Sequence, residues 1–220
     1  MNIKRFEKNE NGTDYVIGDL HGCYDLLMRH LKRIGFNKNT DRLFSVGDLI
    51  DRGPESLKFL QLVYEPWFYS VRGNHEQMAV DCLSAPGLMP HWYENGGTWA
   101  AGHHRYSLKN IIDDAVSKMP LVIEIETSRG IVGIVHAEPL NPWRGPLSEA
   151  DEQHMLWERD RVTSGKNETI EGIDAVICGH TPQRNGVKLL GNVWYIDTGA
   201  CFKNPFFEGS LTVMRLENAI

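Results

Sequence analysis

Residues 15–22 read YVIGDLHG: three apolar, strand-favouring side chains halt at Gly18, then present a carboxylate, Asp19, and an imidazole, His21. The same grammar returns twice. Leu43-Phe44-Ser45-Val46 runs into Gly47-Asp48-Leu49-Ile50-Asp51-Arg52-Gly53, and Phe68-Tyr69-Ser70-Val71 runs into Arg72-Gly73-Asn74-His75-Glu76. Two further apolar runs stop at isolated histidines, in Val135-His136-Ala137 and Cys178-Gly179-His180-Thr181. A short apolar run bounded by turn residues reads as a buried strand, and α/β sheets place their ligand crevice at the carboxyl ends of strands. One Gly-Asp or Asn-His after a strand is ordinary turn chemistry. Five strand ends that each deliver an Asp, His or Asn describe a site, and the flanking glycines let the backbone come close to whatever it holds.

Working outward, helix-period segments separate the first strands. Leu26, Leu27, Leu31 and Ile34 mark one before Gly35; Leu57, Leu60, Leu62 and Val63 mark another after Pro54; Glu76 to Leu83 is a third, ended by Ala85-Pro86-Gly87. More apolar runs follow at 121–125, 131–135, 175–177, 193–196 and 211–214. An alternating first half and a strand-rich second half predict the α/β class, with two packed sheets flanked by helices. Residues 85–120 read as a less regular insertion rich in aromatic residues and glycine, a flap over the site. No linker divides residues 1–220, which are expected to form a single domain.

Composition narrows the function. The chain has 220 residues, 41% hydrophobic and 24% charged, enough for one full core. A formal charge of −6 excludes a dedicated nucleic-acid binder. No apolar run nears the roughly 18 residues of a membrane span, and residues 1–14 lack the apolar core of a signal peptide. A cytoplasmic protein without membrane or nucleic-acid partners is expected. Cys23, Cys82, Cys178 and Cys201 form no C-x-x-C pair and read as reduced packing residues. Mixed Asp, His and Asn donors without thiolates suit a dinuclear site for Mn, Fe or Zn.

The blocks G-D-x-H-G (18–22), G-D-x-x-D-R-G (47–53) and G-N-H-E (73–76), followed by His136 and His180, resemble the phosphoprotein phosphatase (PPP) branch of the metallophosphoesterases, nearest its bacteriophage lambda and bacterial members. GDLHGCY at 18–24, SVGD at 45–48, VRGNHEQM at 71–78, His91-Trp92 with Asn95-Gly96-Gly97 and Trp99, and YIDTGA at 195–200 extend the likeness over nearly the whole chain. The resemblance implies a calcineurin-like metallophosphoesterase fold of two packed mixed β-sheets flanked by helices. It also implies a metal-dependent protein phosphatase acting on phosphoserine and phosphothreonine, with phosphotyrosine a further candidate, on phosphoprotein or phosphopeptide partners. By that pattern Asp19, His21 and Asp48 hold one divalent ion, and Asp48 bridges to a second completed by Asn74, His136 and His180. Mn²⁺ is the expected metal, with Fe and Zn as alternatives. Arg52 and Arg159 would hold substrate phosphate, with Arg72 and Asn74 as further candidates. His75, paired with Asp51, would be the general acid.

The sequence leaves two points open. Arg159 and Arg161 both lie in Trp157-Glu158-Arg159-Asp160-Arg161, with side chains that diverge on a helix or a strand. Glu138 stands where the phage member of the family carries aspartate.

The chemistry is self-consistent. Two divalent cations outweigh Asp19, Asp48 and a bridging hydroxide, and arginines add bidentate donors for a phosphate dianion. A water shared by two metals ionises near pH ~7 and attacks phosphorus in line, so no protein nucleophile is needed. Asp51 beside His75 favours the imidazolium.

Weaker features are read structurally. Trp92, Tyr93 and Trp99 either line a peptide groove or pin the insertion to the body. His103-His104 reads as a solvated loop, and His30 and His154 lack a partner pattern. The enzymatic rival is a diadenosine tetraphosphate hydrolase, whose second block usually reads G-D-x-x-A-R-G and so lacks the partner carboxylate that Asp51 supplies. The rival of another class is a phosphopeptide-binding protein without activity, which would be free to discard His75 or Asp51.

Overall fold

The structure, a computed structural model, describes residues 3–143, 148–204 and 207–220. In chain order the strands open with β1 (Ile3–Phe6), β2 (Asp14–Ile17), β3 (Arg42–Ser45) and β4 (Phe68–Ser70). Next come β5 (Val122–Glu126), β6 (Ile131–Ile134), β7 (Ala175–Cys178), β8 (Lys188–Leu190) and β9 (Val193–Tyr195). The short β10 (Lys203–Asn204), β11 (Phe207–Glu208) and β12 (Val213–Arg215) close the chain. The helices are α1 (Tyr24–Ile34), α2 (Ser56–Leu62), α3 (Asn74–Ser84), α4 (Met89–Glu94), α5 (Arg105–Ser117), α6 (Glu149–Trp157) and α7 (Asp160–Ser164).

Two mixed sheets result. One has the order β12-β2-β3-β4, with β2, β3 and β4 parallel and β12 antiparallel to β2; the other runs β1-β5-β6-β7-β9-β8. In the larger sheet β6, β7 and β9 are mutually parallel. The period-2 alternation of strands explains the layering. Tyr15, Ile17 and Leu43 face α1, α2, α3 and α5, joining Leu27, Leu31, Phe59 and Ile112. Val16 and Phe44 face the other way, onto Ile123, Ile134 and Ile177 between the sheets. Val176 and Cys178 then turn outward to Met155, Leu156 and Val162 of α6 and α7. Each such buried aliphatic or aromatic side chain contributes about 1.5–3 kcal/mol. The order is helices, sheet, sheet, helices.

All eight apolar runs are strands. The edge strands β1 and β8 were not anticipated, because Lys4 and Arg5 on β1 and Leu189 on β8 stand exposed and blur the apolar pattern. Segment 85–120 departs further from expectation: α4, two 3₁₀ turns and α5 make it mostly helical. Leu108, Ile112, Ala115 and Val116 follow i, i+4, i+7, i+8 spacing and are buried in the helical layer. Among the described residues no helix is long and apolar enough to cross a membrane. All four cysteines are unbonded.

Candidate metal and phosphate site

The parallel strands of both sheets end at one place, and there the motif residues meet. His21, Asp48, Asn74, His75, His136 and His180 are all buried, none more than 6% exposed. Asp48 lies at the centre: His21 Nε2 stands 3.5 Å and His75 Nε2 3.9 Å from its Oδ2, while His136 Nε2 is 3.4 Å from its Oδ1. Two groups of donor atoms close enough to share an ion follow, His21–Asp48–His75 and Asp48–His136–His180. Asn74, the first residue of α3, directs Oδ1 between His136 Nε2 at 2.8 Å and His180 Nδ1 at 2.9 Å.

The backbone bends to do this. The non-glycine residues with left-handed φ among those described are His21, Asp48, Asp51, Arg52 and His180, with φ from 41° to 71°. Such conformations are costly and persist where the surroundings fix them. Glu76 does much of that fixing. Its buried carboxylate accepts hydrogen bonds from Asp48 N (3.0 Å), Leu49 N (2.8 Å), Ile50 N (3.3 Å) and Gly73 N (2.9 Å). Gly73 itself is obligatory, since a Cβ there would collide with the Asp48 carboxylate.

The donor set selects a cation. His21 Nδ1 meets the Ile50 carbonyl at 2.9 Å, His136 Nδ1 the Val46 carbonyl at 2.7 Å, and His180 Nε2 the Trp157 carbonyl at 3.2 Å. A carbonyl only accepts, so each of these nitrogens carries the proton and the other exposes a lone pair. Burial holds His21 and His180 down at about 3 and lowers His136 too, so all three are neutral. The lone pairs of His136 and His180 therefore face the Asn74 oxygen with no proton between them, an arrangement a metal ion resolves. At His21 the Arg52 guanidinium donates into the lone pair at 2.7 Å, positive charge already drawn to the same atom. Burial would raise the Asp48 pKa, yet it lies well below the carboxylate range, and of the imidazoles around it His75 is the one raised toward its charged form.

Asp19 sits beside this cluster. Both its oxygens accept from the His180 backbone N–H, at 3.2 and 3.1 Å, and burial followed by Asp197 and Asp48 pushes its pKa well up. Asp51 and His75 are paired at 2.7 Å, Oδ2 to Nδ1. For His75, burial works against the imidazolium, but Asp48 and Asp51 together outweigh it and the pKa lies above the ordinary value. Arg52 is exposed, and its Nη2 lies 3.0 Å from His75 Nε2, a hydrogen bond that holds only while that nitrogen is unprotonated.

The structure separates the two open arginines. Arg161 is buried, with Nη2 donating to the Glu168 and Leu190 carbonyls. Arg159 is exposed, and its charge bears on His136 and His180. Arg72, expected at the phosphate, is not gathered in: it turns along α3 and Nη1 donates to Gln77 Oε1 at 2.9 Å. Glu138 accepts from Tyr195 Oη (2.9 Å) and Val162 N (3.2 Å), tying α7 to the sheet. His30 and His154 bond backbone carbonyls away from the cluster.

Sequence reasoning assigned no role to several residues found here. Glu76 had a signal, since its place three residues after the N-cap Gly73 is that of a capping box. Asp197, buried just beyond β9 and raised to about 7 chiefly by burial, had only the YIDTGA likeness. Trp92 and Trp99 had none that spacing could reveal. Both donate to the Asp51 carboxylate, Nε1 to Oδ2 at 2.9 Å and Nε1 to Oδ1 at 2.7 Å.

Residues 15–184 match the calcineurin-like phosphoesterase family model. The chain belongs to that family. Over 208 residues this phosphoesterase is 38% identical to serine/threonine-protein phosphatase 1 of Salmonella typhimurium, covering 92% of this chain and 91% of that protein. With serine/threonine-protein phosphatase 2 of Escherichia coli it shares 38% over 192 residues, covering 84% and 87%. Its fold matches a crystal structure provisionally assigned to a diadenosine tetraphosphatase, with a TM-score of 0.72 at 22% identity, over 100% of this chain and 95% of the other. Membership and the buried donor groups together make the phosphoesterase a binder of divalent metal ions.

Proposed function

We propose that the chain is a metal-dependent protein phosphatase that hydrolyses phosphoserine and phosphothreonine monoesters. The observation that carries this reading is the buried Asp51–His75 pair, 2.7 Å apart, set against the Asp48 cluster. It supplies a proton donor for an alkoxide leaving group, and the homologous serine/threonine-protein phosphatases match over nearly their whole length.

In this reading Asp19, His21 and Asp48 hold one ion, and Asp48, Asn74, His136 and His180 hold the other; Mn²⁺ suits that mix of nitrogen and oxygen donors. When bound, such ions neutralise phosphate charge and acidify water. Arg52 and Arg159, the exposed cations at the mouth, bind and orient the phosphate dianion. Arg52 moves onto the phosphate and frees His75 Nε2 to take up a proton from solvent. A water oxygen forms the new bond to phosphorus, the ester P–O bond breaks, and the departing serine or threonine oxygen takes the proton from His75 Nε2. Asp51 keeps the ring turned toward that oxygen.

Relatives named symmetrical bis(5'-nucleosyl)-tetraphosphatase match only a part: the Dechloromonas aromatica protein shares 50% over 64 residues, 28% of this chain and 23% of its own length. The deciding experiment strips metal, restores Mn²⁺, and compares phosphoserine, phosphothreonine and phosphotyrosine peptides with diadenosine tetraphosphate. Release of phosphate from the first two peptides, with the dinucleotide left intact, is the expected result. Preferential cleavage of the dinucleotide would replace this reading.

A further inference from the structure

Asp51 is wholly buried and yet accepts three side-chain hydrogen bonds. One comes from His75. The other two come from the 85–120 insertion, through the indoles of Trp92 and Trp99, which meet edge to face with ring centroids 5.9 Å apart. Between those indoles the chain takes a second hold. Arg52 N donates to the Gly96 carbonyl at 3.0 Å, and Gly96, at φ 105°, lies so close to Arg52 that a Cβ would overlap its backbone nitrogen. Gly97 lies flat against the Trp92 indole, where a Cβ would collide with the ring. Residues 92–99 thus grip both Asp51 and Arg52, two consecutive residues in the left-handed region.

A carboxylate bonded only to His75 would be free to rotate. Indole N–H groups donate and cannot accept, so two of them facing opposite oxygens of the Asp51 carboxylate fix its plane. We propose that Trp99 and Trp92 are positioning residues for the Asp51–His75 pair, so that the insertion sets the aim of the general acid. Each indole N–H is spent on Asp51 and not on a donor atom of the metal cluster. This inference rests on the reading of His75 as the acid and deepens it.

The test deletes one N–H and keeps the ring. Trp99 is the better site because it is only half-buried, whereas Trp92 is fully buried. Trp99→Phe and, at the same position, the isostere 3-benzothienylalanine, which has sulfur where indole has N–H, are assayed with Mn²⁺ restored. The expected result is about a tenfold loss of kcat on a phosphoserine peptide, KM unchanged, and a clearly smaller loss on p-nitrophenyl phosphate, whose leaving group needs little proton help. Metal content should equal that of the parent protein. In a His75→Asn background Trp99→Phe should cost nothing more, because residues acting through one another are not additive.

His75→Asn alone is the control for the underlying reading. If it shows no leaving-group bias, the acid assignment fails. If it shows the bias while both Trp99 variants match the parent on both substrates, or lose equally on both, the positioning role fails and the acid assignment stands. Should Trp99→Phe not fold, the isostere decides alone.

Discussion

The four-stranded sheet hands side chains to the site in consecutive runs, whereas the six-stranded sheet hands them over singly. After β2, β3 and β4 come Asp19 and His21, then Asp48, Asp51 and Arg52, then Asn74, His75 and Glu76. After β6, β7 and β9 come His136, His180 and Asp197, each alone. The first group is held through its backbone, with four left-handed residues and the four N–H groups on Glu76. In the second group His136 and His180 are each held through one ring nitrogen on a carbonyl, and only His180 adds a left-handed backbone with its N–H on Asp19. Backbone anchoring places charge and proton to fractions of an ångström, while one locked nitrogen suffices to aim a lone pair. His75 and Arg52, the proposed acid and one of the proposed phosphate ligands, lie on the anchored side.

The sharpest way to break this division is at the residue common to both sides. Asp48→Asn removes the charge that all four imidazoles surround, so at least one metal and nearly all turnover should be lost; elemental analysis and p-nitrophenyl phosphate hydrolysis report both. Metal content and rate like the parent's would end the shared-centre model. Next in size, Glu76→Ala leaves four backbone N–H groups without their acceptor and should cost more than about 3 kcal/mol in a urea unfolding curve.

On the six-stranded side the expected effects are smaller. Arg159→Ala should lower kcat/KM about tenfold through phosphate binding, in line with one lost charge-assisted contact. Arg161→Ala should instead lower the unfolding midpoint and spare KM, since that guanidinium serves two carbonyls; a larger KM effect from Arg161 would reverse the assignment. Smallest of all, Glu138→Gln keeps an oxygen for Val162 N and should change stability by less than about 1 kcal/mol. A loss there rivalling that of Glu76 would erase the contrast between the two sheets.

The same contrast governs what was legible in the sequence. Side chains delivered in runs announce themselves, because Gly-Asp, Asp-Arg-Gly and Gly-Asn-His-Glu are dense and lie next to apolar strands. His136 and His180 were legible only as companions of those runs. Arg159 against Arg161 was undecidable, since a choice between two neighbours depends on which one turns inward. Arg72, a further phosphate candidate because it sits inside a motif, has its side chain along α3, bonded to Gln77. Helix α6 carried a signal that passed unread, Ser148 accepting from Asp151 N in a capping box. Helix α5 had helical spacing, hidden behind the aromatic and glycine-rich stretch before it. Trp92 and Trp99 were weighed as groove or packing residues. Their role at Asp51 depends on a contact 41 and 48 residues distant, which no local pattern encodes.

The placement of β12 bears on synthesis. It pairs with β2, the strand that launches Asp19 and His21, and Gly18 N donates to Thr212 O at the start of that loop. Leu216 and Ala219 then fill the layer between the sheets. A ribosome making about 5–20 residues per second has therefore long finished the motif-bearing strands before their outer neighbour emerges. Until then the β2 edge is unpaired and open to other chains. Nascent chains halted before residue 213 should accordingly need chaperone shielding and show no phosphatase activity, while chains that include β12, Leu216 and Ala219 gain both solubility and turnover in one step.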